Sequence, residues 1–303
     1  MGQHYVPRFY LKAWAHKNVL QYLNLKTGTI RKAGLKGIAN EPVFYKLHDL
    51  TPEEIQLIKG AVIDPCPDPL RQVQLRYLDL FTFAPRLKAR LATSSNDPDF
   101  KAALEDVIVN AAEHSHQWVE DRLKRFINCM LAENCSFYSN AKQAADFLYA
   151  ICVQFTRTKR ARQEAIATLG TKYKGCDAER LWKPTSQILA MSVGRSLYAD
   201  RHQYKLVLID NDTRTPFVTG DQPIINLHAK LTGEPPDKLE FYYPLSPQKA
   251  MLLLEQGTPP PSQPLSELAV NSYNILMAKN AFEQMFSNSA EYLKTLRAIR
   301  SLD

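Results

Sequence analysis

A chain of 303 residues, with 45% hydrophobic and 23% charged residues, has the composition of a globular protein and can bury a core without disulfides or metals. Its five cysteines are scattered and none belongs to a CxxC pair, which excludes a zinc ribbon and a disulfide framework. The most apolar stretches are too short to span a bilayer and no signal peptide is recognisable. We therefore expect a cytoplasmic bacterial protein with no membrane partner.

The charge of the chain permits an anionic partner without requiring one. The formal net charge is +7 and the pI is near 9, and nucleic acids or nucleotides are the commonest partners of basic proteins. A modest positive charge also serves solubility. The chain has none of the standard motifs for phosphate binding, a serine nucleophile or zinc, namely GxGxxG, GxxxxGK[ST], GxSxG and HExxH.

The first part of the chain predicts strands and then a capped helix. Apolar and polar residues alternate around KTGT, which predicts a β-hairpin over residues 19–33 with Gly28 in its turn. A third short strand is predicted over residues 42–47. The string TPEEIQLI has the pattern of a capping box and predicts a helix that begins at residue 52. The prolines of residues 64–69 predict a loop before the next helix.

The middle of the chain predicts a helical body. Apolar residues recur at steps of three and four over residues 98–130, 140–169 and 184–198, with a break in the first helix near Ser115. The two histidines of EHSHQW lie two positions apart, so on a helix they lean to different faces and do not form a metal site. Each helix carries an apolar stripe that must be covered, so the three should pack on one another.

The last third predicts a sheet followed by two helices. The strings YKLVLID, PFVTGDQPIIN, EFYYPLS and KAMLLLE are expected to form strands of one sheet, with a hairpin turn at DNDTRT between the first two. Helices are predicted over residues 266–287 and 290–300. The chain as a whole predicts an α+β fold, with a mainly helical body and a small, mostly antiparallel β-sheet. We expect one domain, residues 1–303, divided into an N-terminal arm and hairpin (1–50), a helical body (51–200), a β-sheet segment (201–263) and C-terminal helices (264–303).

Three stretches carry side chains suited to hydrolysis of a phosphodiester. The opening HYVPRFYL supplies the imidazole of His4, QFTRTKRAR supplies the guanidinium of Arg157, and VTGDQPIIN supplies the carboxylate of Asp221. The imidazole and carboxylate are suited to hold Mg²⁺ or Mn²⁺ or to exchange protons, and the guanidinium to neutralise a phosphate. Each residue also has a structural interpretation. Asp221 can bond backbone amides in a turn, His4 can anchor the N-terminus, and Arg157 can pair with a helix carboxylate.

The order of these strings resembles the bacterial family called domain of unknown function 4238. The matching stretches are QHYVPRFYL at 3–11, QFTR at 154–157, VTGDQPI at 218–224, YPLSP at 243–247 and LAVNSYNILMA at 268–278. Gly220 stands where a serine is usual, so a role for that hydroxyl is in doubt. The resemblance covers nearly the whole chain and implies no particular activity.

Motifs near both ends of the chain suggest that the ends meet in one polar pocket. We expect His4 to lie beside Asp221, between the helical body and the sheet. Gln154, Asn271 and Arg8 are the predicted ligand-binding residues of this pocket. Buried polar groups cost free energy unless they are paired, so they must satisfy one another or bind a ligand.

Three functional interpretations follow. The first is a hydrolase, either a nuclease or a nucleotide phosphodiesterase, in a defence or toxin setting, with His4, Asp221 and Arg157 as catalytic residues. The second is a non-catalytic binding or sensor module for nucleic acid, a small ligand or a phage protein. The third is that the motifs serve only to attach the N-terminal arm to the core.

Overall fold

The computed structural model of the protein describes residues 2–42, 44, 50–92, 97–173, 175–229 and 236–300. Its architecture is α+β, as predicted. The helices are α1 (Arg8–Leu11), α2 (Pro52–Ile58), α3 (Asp68–Ala92), α4 (Pro98–Leu131), α5 (Ala141–Thr156), α6 (Lys159–Lys172), α7 (Ala178–Ala199), α8 (Glu267–Asn280) and α9 (Ala290–Arg300). The strands are β1 (Gly2–His4), β2 (Val19–Asn24), β3 (Ile30–Gly34), β4 (Asn40–Pro42), β5 (Tyr204–Asp210), β6 (Thr219–Gly220), β7 (Ile225–Asn226), β8 (Phe241–Ser246), β9 (Lys249–Glu255) and β10 (Gln284–Ser287).

The described helices of the body pack as their apolar stripes predict. Helix α5 lies between α4 and α7 and turns Ala144, Phe147 and Ile151 into the core, each fully buried. Burial of one such large apolar side chain contributes roughly 1.5 to 3 kcal/mol. The backbones of α5 and α7 approach closely at Gly194, where a Cβ would stand 3.1 Å from Tyr149 Cα. The small residue therefore sets the distance between these helices.

Several helix boundaries differ from the prediction, and α7 begins at Ala178 where the prediction has residue 184. The predicted helix over residues 140–169 is two helices. Helix α5 ends at Thr156, and Thr158 caps α6 by accepting a hydrogen bond from the amide of Ala161 at 3.3 Å. A hydroxyl at an N-cap competes with helix continuation. The predicted break near Ser115 is wrong, since α4 runs without interruption from Pro98 to Leu131. The capping box of α2, formed by Thr51 and Glu54, is confirmed.

The strands form three antiparallel sheets, not one. Their orders are β1–β4, β3–β2–β10–β6 and β5–β9–β8–β7. The predicted hairpin with Gly28 in its turn is confirmed as β2–β3. The neighbour of β5 is β9, so DNDTRT is not a hairpin turn. The run over residues 216–226 supplies β6 to one sheet and β7 to another, because Pro223 lies between them without an N–H for a ladder.

The C-terminal region contains a strand where a helix is predicted. Helix α8 ends at Asn280, and β10 then pairs with both β2 and β6. Met285 and Phe286 point to opposite faces, each into a separate buried core, which is the period of a strand. The third N-terminal strand also differs, because β4 ends at Pro42 and pairs with β1. The rest of the predicted segment, apart from residue 44, lies outside the described residues.

The sheets form a middle layer between two sets of helices. Along β8, Phe241 and Tyr243 face a core shared with the helical body, and Tyr242 faces a second core shared with α8 and α9. Strand β9 alternates in the same way. Such three-layer packing covers both faces of a sheet, which explains why these strands are apolar on both sides.

The N-terminal segment is part of the core. Tyr5, Tyr10 and Trp14 are each 1% exposed. The ring of Tyr10 stacks on Tyr243 at 5.0 Å, and its hydroxyl donates to the carbonyl of Pro244 at 2.8 Å. The indole of Trp14 donates to a carbonyl of the segment before β6. The aromatic residues of the opening string therefore hold residues 2–14 against the sheets.

Candidate functional site

Asp221 lies at the junction of β6 and β10, and its carboxylate is bound by three consecutive backbone amides. The amide of Phe282 donates to Oδ1 at 2.8 Å, and the amides of Glu283 and Gln284 donate to Oδ2 at 2.7 and 3.0 Å. Asp221 is 1% exposed. Burial raises its pKa to about 6, although the three N–H bonds oppose that rise. The carboxylate is therefore an anchor for the segment that connects α8 to β10.

Arg157 is buried at the C-terminal end of α5 and has polar partners on both sides of its guanidinium. Nε and Nη2 donate to Oε1 of Gln154 at 2.9 and 2.6 Å, and Nη1 donates to Oε1 of Glu120 at 2.9 Å. The side chain of Arg157 is 2% exposed, against 27% for Glu120. Pairing with a helix carboxylate is the structural role of Arg157 expected from the sequence. That carboxylate is Glu120 of α4.

Gln154 and Gln222 connect this end of α5 to two of the family strings. Gln154, which is fully buried, donates from Nε2 to the carbonyl of Tyr5 at 3.2 Å. Gln222 donates to the carbonyl of Phe155 at 3.2 Å and accepts a hydrogen bond from the hydroxyl of Thr158. The opening string, QFTR and GDQP therefore meet around one helix end.

His4 and Asp221 belong to neighbouring parts of the same hydrogen-bond network. The imidazole of His4 donates from Nε2 to the carbonyl of Leu35 at 3.2 Å. The next residue, Tyr5, donates its amide to Ala39, and the amide of Ala39 donates to the side chain of Gln284, whose own amide binds Asp221. The structure thus links them through backbone and Gln284, and both of Asp221's carboxylate oxygens are used by amides.

The basic run at the start of α6 is paired with acids. Lys159 Nζ lies 3.3 Å from Glu41 and 3.0 Å from Glu283, and Arg162 lies 3.1 Å from Glu41. Burial raises the pKa of Glu283, but hydrogen bonds from Lys26 and Lys159 outweigh burial and hold that pKa below its ordinary value. These ion pairs attach α6 to the N-terminal segment, so the cations are not free for a phosphate.

Asn274, not Asn271, connects α8 to the strands. Oδ1 of Asn274 accepts from the amide of Val218 at 2.9 Å, and Nδ2 donates to the carbonyl of Pro216 at 2.8 Å. Asn271 accepts from the hydroxyl of Tyr292 at 2.5 Å, on the side of α9. Sequence reasoning had no signal to choose between these two asparagines, because the rotation of α8 is set by its packing.

We expect Asn274→Ala to lower the free energy of unfolding by about 2 kcal/mol, because it leaves the amide of Val218 and the carbonyl of Pro216 buried without a partner. Asn271→Ala is the matched control and should cost less than about 1 kcal/mol, since it removes one hydrogen bond at a half-buried position. Urea denaturation of both variants measures the difference. Equal losses would contradict the assignment of Asn274.

Arg8 belongs to a surface that sequence reasoning missed. The chain has no Asp or Glu before Glu41, so its positive charge is concentrated at the start. We define the N-terminal basic surface by six exposed cations that have no ion-pair partner among the described residues: Arg8, Lys12, Lys17, Arg31, Lys32 and Lys36. The absence of Asp and Glu from the first forty residues was the sequence feature that could have indicated this surface.

Leu35 connects two of the elements that carry these cations. Its amide donates to Asn18 at 3.1 Å, which places the turn carrying Lys17 next to Lys36. That turn has positive φ at both Lys17 and Asn18, the geometry of a type I′ hairpin turn. The helical turn Leu35–Gly37 also packs against α1, which carries Arg8. The cations therefore come from adjacent elements, and none of them pairs with an acid among the described residues.

The metal interpretation gains no support from the described part of the chain. No group of three or more His, Cys, Asp or Glu side chains there is placed to hold a metal ion. A metal at Asp221 would have to share carboxylate oxygens that already accept three backbone N–H bonds. No described helix combines the length and apolarity needed to cross a bilayer.

The fold and its contacts define an α+β protein in which an N-terminal segment is held between a helical body and two sheets by buried polar side chains. The chain belongs to the family described as Protein of unknown function (DUF4238), whose sequence pattern matches residues 2–291. The resemblance inferred from the strings is thereby confirmed. No curated protein and no solved structure matches the chain.

Proposed function

We propose that this protein is a nucleic-acid-binding protein, which binds the phosphate backbone through the N-terminal basic surface. The observation that carries this proposal is the set of six exposed cations, none of which pairs with an acid in the described part of the chain, in a segment that has no Asp or Glu before Glu41. Arg31 and Lys32 are neighbours in β3 and point to opposite faces of the hairpin, so a bound strand would contact one of them together with cations of the adjacent elements. Such cations attract a polyanion, because each neutralised phosphate releases condensed counterions. The proposal is the binding-module interpretation of the sequence.

The geometry favours binding over hydrolysis at the predicted residues. Asp221 and Arg157 are 1% and 2% exposed, and their polar atoms are occupied by protein partners. Buried groups of this kind stabilise a fold, whereas a catalytic group must reach its substrate. A hydrolase of phosphodiesters that uses His4, Asp221 and Arg157 with Mg²⁺ or Mn²⁺, in a defence or toxin setting, stays a prediction.

The buried hydrogen bonds made by the other strings also support binding over hydrolysis. Hydrogen bonds from the strings that resemble the family hold residues 2–14 against the core, and this segment carries Arg8 and Lys12 of the basic surface. Rigid support of a binding surface lowers the entropy lost on binding. The buried network therefore serves recognition by fixing the elements that carry the cations.

Replacing Lys12, Lys17 and Lys36 together by glutamine should weaken binding of a labelled 20-mer at least tenfold at 100 mM KCl. Loss of three phosphate contacts should also reduce the slope of log K against log salt by roughly two to three units. Fluorescence anisotropy with single-stranded and duplex DNA and RNA, over a series of KCl concentrations, measures both quantities.

The matched control replaces Lys101, Lys124 and Lys142 by glutamine, which removes the same charge from exposed positions of the helical body. This control should bind within twofold of the wild type. Equal losses in both triple variants would show that net charge alone is responsible. No binding by the wild type at 50 mM KCl would overturn the proposed function.

A further inference from the structure

A groove of about 310 Å³ opens beside the N-terminal basic surface. Three separate parts of the chain line it: the segment around Trp14 and His16, the turn between β8 and β9 at Gln248, and Asn288 after β10. Its volume lies at the lower end of the range of about 300 to 1,000 Å³ found for small-ligand sites. It therefore suits a group of the size of one base or one nucleoside, and not a duplex.

The polar side chains of the groove are available to a ligand. The carboxamides of Gln21, Gln248 and Asn288 line it, and none of them has a hydrogen-bond partner among the described residues. A carboxamide offers a donor and an acceptor together, which matches the edge of a nucleobase. The imidazole of His16 is exposed at the same groove and offers a ring for stacking.

The groove and the basic surface share a border. Lys17 follows His16 directly in the type I′ turn. Lys32 is the cross-strand partner of Gln21, so their side chains lie on the same face of the β2–β3 hairpin. Cations thus stand at the rim, and neutral amide groups line the inside. This arrangement separates a region for phosphates from a region for an uncharged, hydrogen-bonding ring.

We propose that the groove binds one unpaired base of a single-stranded nucleic acid whose phosphates lie on the N-terminal basic surface. This inference rests on the proposed function and deepens it. The three carboxamides bind the edge of the base and His16 stacks on its face, both of which require a base that has left the helical stack. Duplexes then bind through phosphate contacts alone.

The double variant Gln248→Ala/Asn288→Ala tests the groove. Both side chains are exposed, so folding should be unchanged, which circular dichroism checks. The wild type should bind single-stranded 12-mers at least tenfold more tightly than the matching duplex. The double variant should lose about tenfold in affinity for single strands, bind the duplex within twofold of wild type, and keep the same salt slope. Single strands with abasic positions should bind like the double variant.

Gln72→Ala/Asn128→Ala is the matched control, since it removes two exposed carboxamides from the helical body. It should leave binding of every probe unchanged. Equal affinity of the wild type for single strands and duplexes, together with a double variant that behaves like wild type, would overturn the groove assignment and leave nucleic-acid binding intact. Failure to bind any probe would overturn the proposed function, and the groove assignment with it.

Discussion

Asp221→Ala is expected to lower the free energy of unfolding by about 3 kcal/mol or more. The substitution leaves three adjacent amides, those of Phe282, Glu283 and Gln284, without their acceptor in a largely buried place. Each orphaned amide costs about 1 to 3 kcal/mol. Relief of the buried charge offsets part of this cost, but alanine offers no acceptor at all. Chemical denaturation at pH 7 measures the loss.

Asp221→Asn should cost less than Asp221→Ala, about 1 to 2 kcal/mol at pH 7, because it leaves only the amide of Phe282 without an acceptor. An asparagine oxygen can still accept from the amides of Glu283 and Gln284, and the variant carries no buried charge. Asp212→Ala is the matched control for an exposed aspartate and should change stability by less than about 0.5 kcal/mol. Equal effects of Asp221→Ala and Asp221→Asn would contradict the role of the three amides.

The difference in stability between the wild type and Asp221→Asn should depend on pH with a definite sign. The pKa of Asp221 is raised to about 6 in the folded protein from an ordinary value of 3.8, so between these values the folded state binds more protons than the unfolded state. The contribution of Asp221 to the free energy of unfolding therefore falls as the pH rises through this window. Relative to Asp221→Asn, the wild type should lose about 1 kcal/mol between pH 5 and pH 7. An unchanged or opposite difference would refute the raised pKa.

Arg157→Met is expected to destabilise the protein by about 2 to 4 kcal/mol, because the buried oxygen of Gln154 loses its donors while the charge left behind on Glu120 is 27% exposed. Methionine retains part of the apolar stem but leaves Gln154 without two donors and Glu120 without its counter-ion. Arg157→Lys should recover little of this loss, because an ammonium cannot reproduce the fork that binds two side chains at once. Thermal and urea denaturation measure both variants.

Arg160→Met is the matched control for Arg157→Met. Arg160 lies on α6 and pairs with Glu164 at 2.8 Å in an i,i+4 arrangement, where the carboxylate is 64% exposed. Such surface pairs contribute less than about 1 kcal/mol. A similar small loss for both methionine variants would show that the Arg157 network does not stabilise the fold.

The same variants also test the catalytic interpretation. Asp221→Asn is expected to keep the fold, so it separates a structural carboxylate from a catalytic one. If a phosphodiesterase activity is measured for the wild type and Asp221→Asn abolishes it while the protein stays folded, the hydrolase interpretation gains support. Retention of nucleic-acid binding by Asp221→Asn is the result that the proposed function predicts.

Local sequence determined most of the helices, the first hairpin and the family. The β2–β3 hairpin, the capping box at Thr51 and the apolar stripe of α5 depend on residues within a few positions of one another, so pattern alone predicts them. The concentration of cations before Glu41 is also a property of the sequence. The likeness to the family likewise depends only on strings of residues.

Tertiary structure decided the features that depend on distant partners. The string QMFS forms the strand β10 because it pairs with β2 and β6, although the sequence pattern around it predicts a helix. Asp221 binds amides 61 to 63 residues further along the chain, and Arg157 pairs with a carboxylate 37 residues before it. The groove joins residues near 16, 248 and 288. These contacts arise only when separate elements pack, since packing sets which backbone groups and side chains meet, and no local periodicity contains that information.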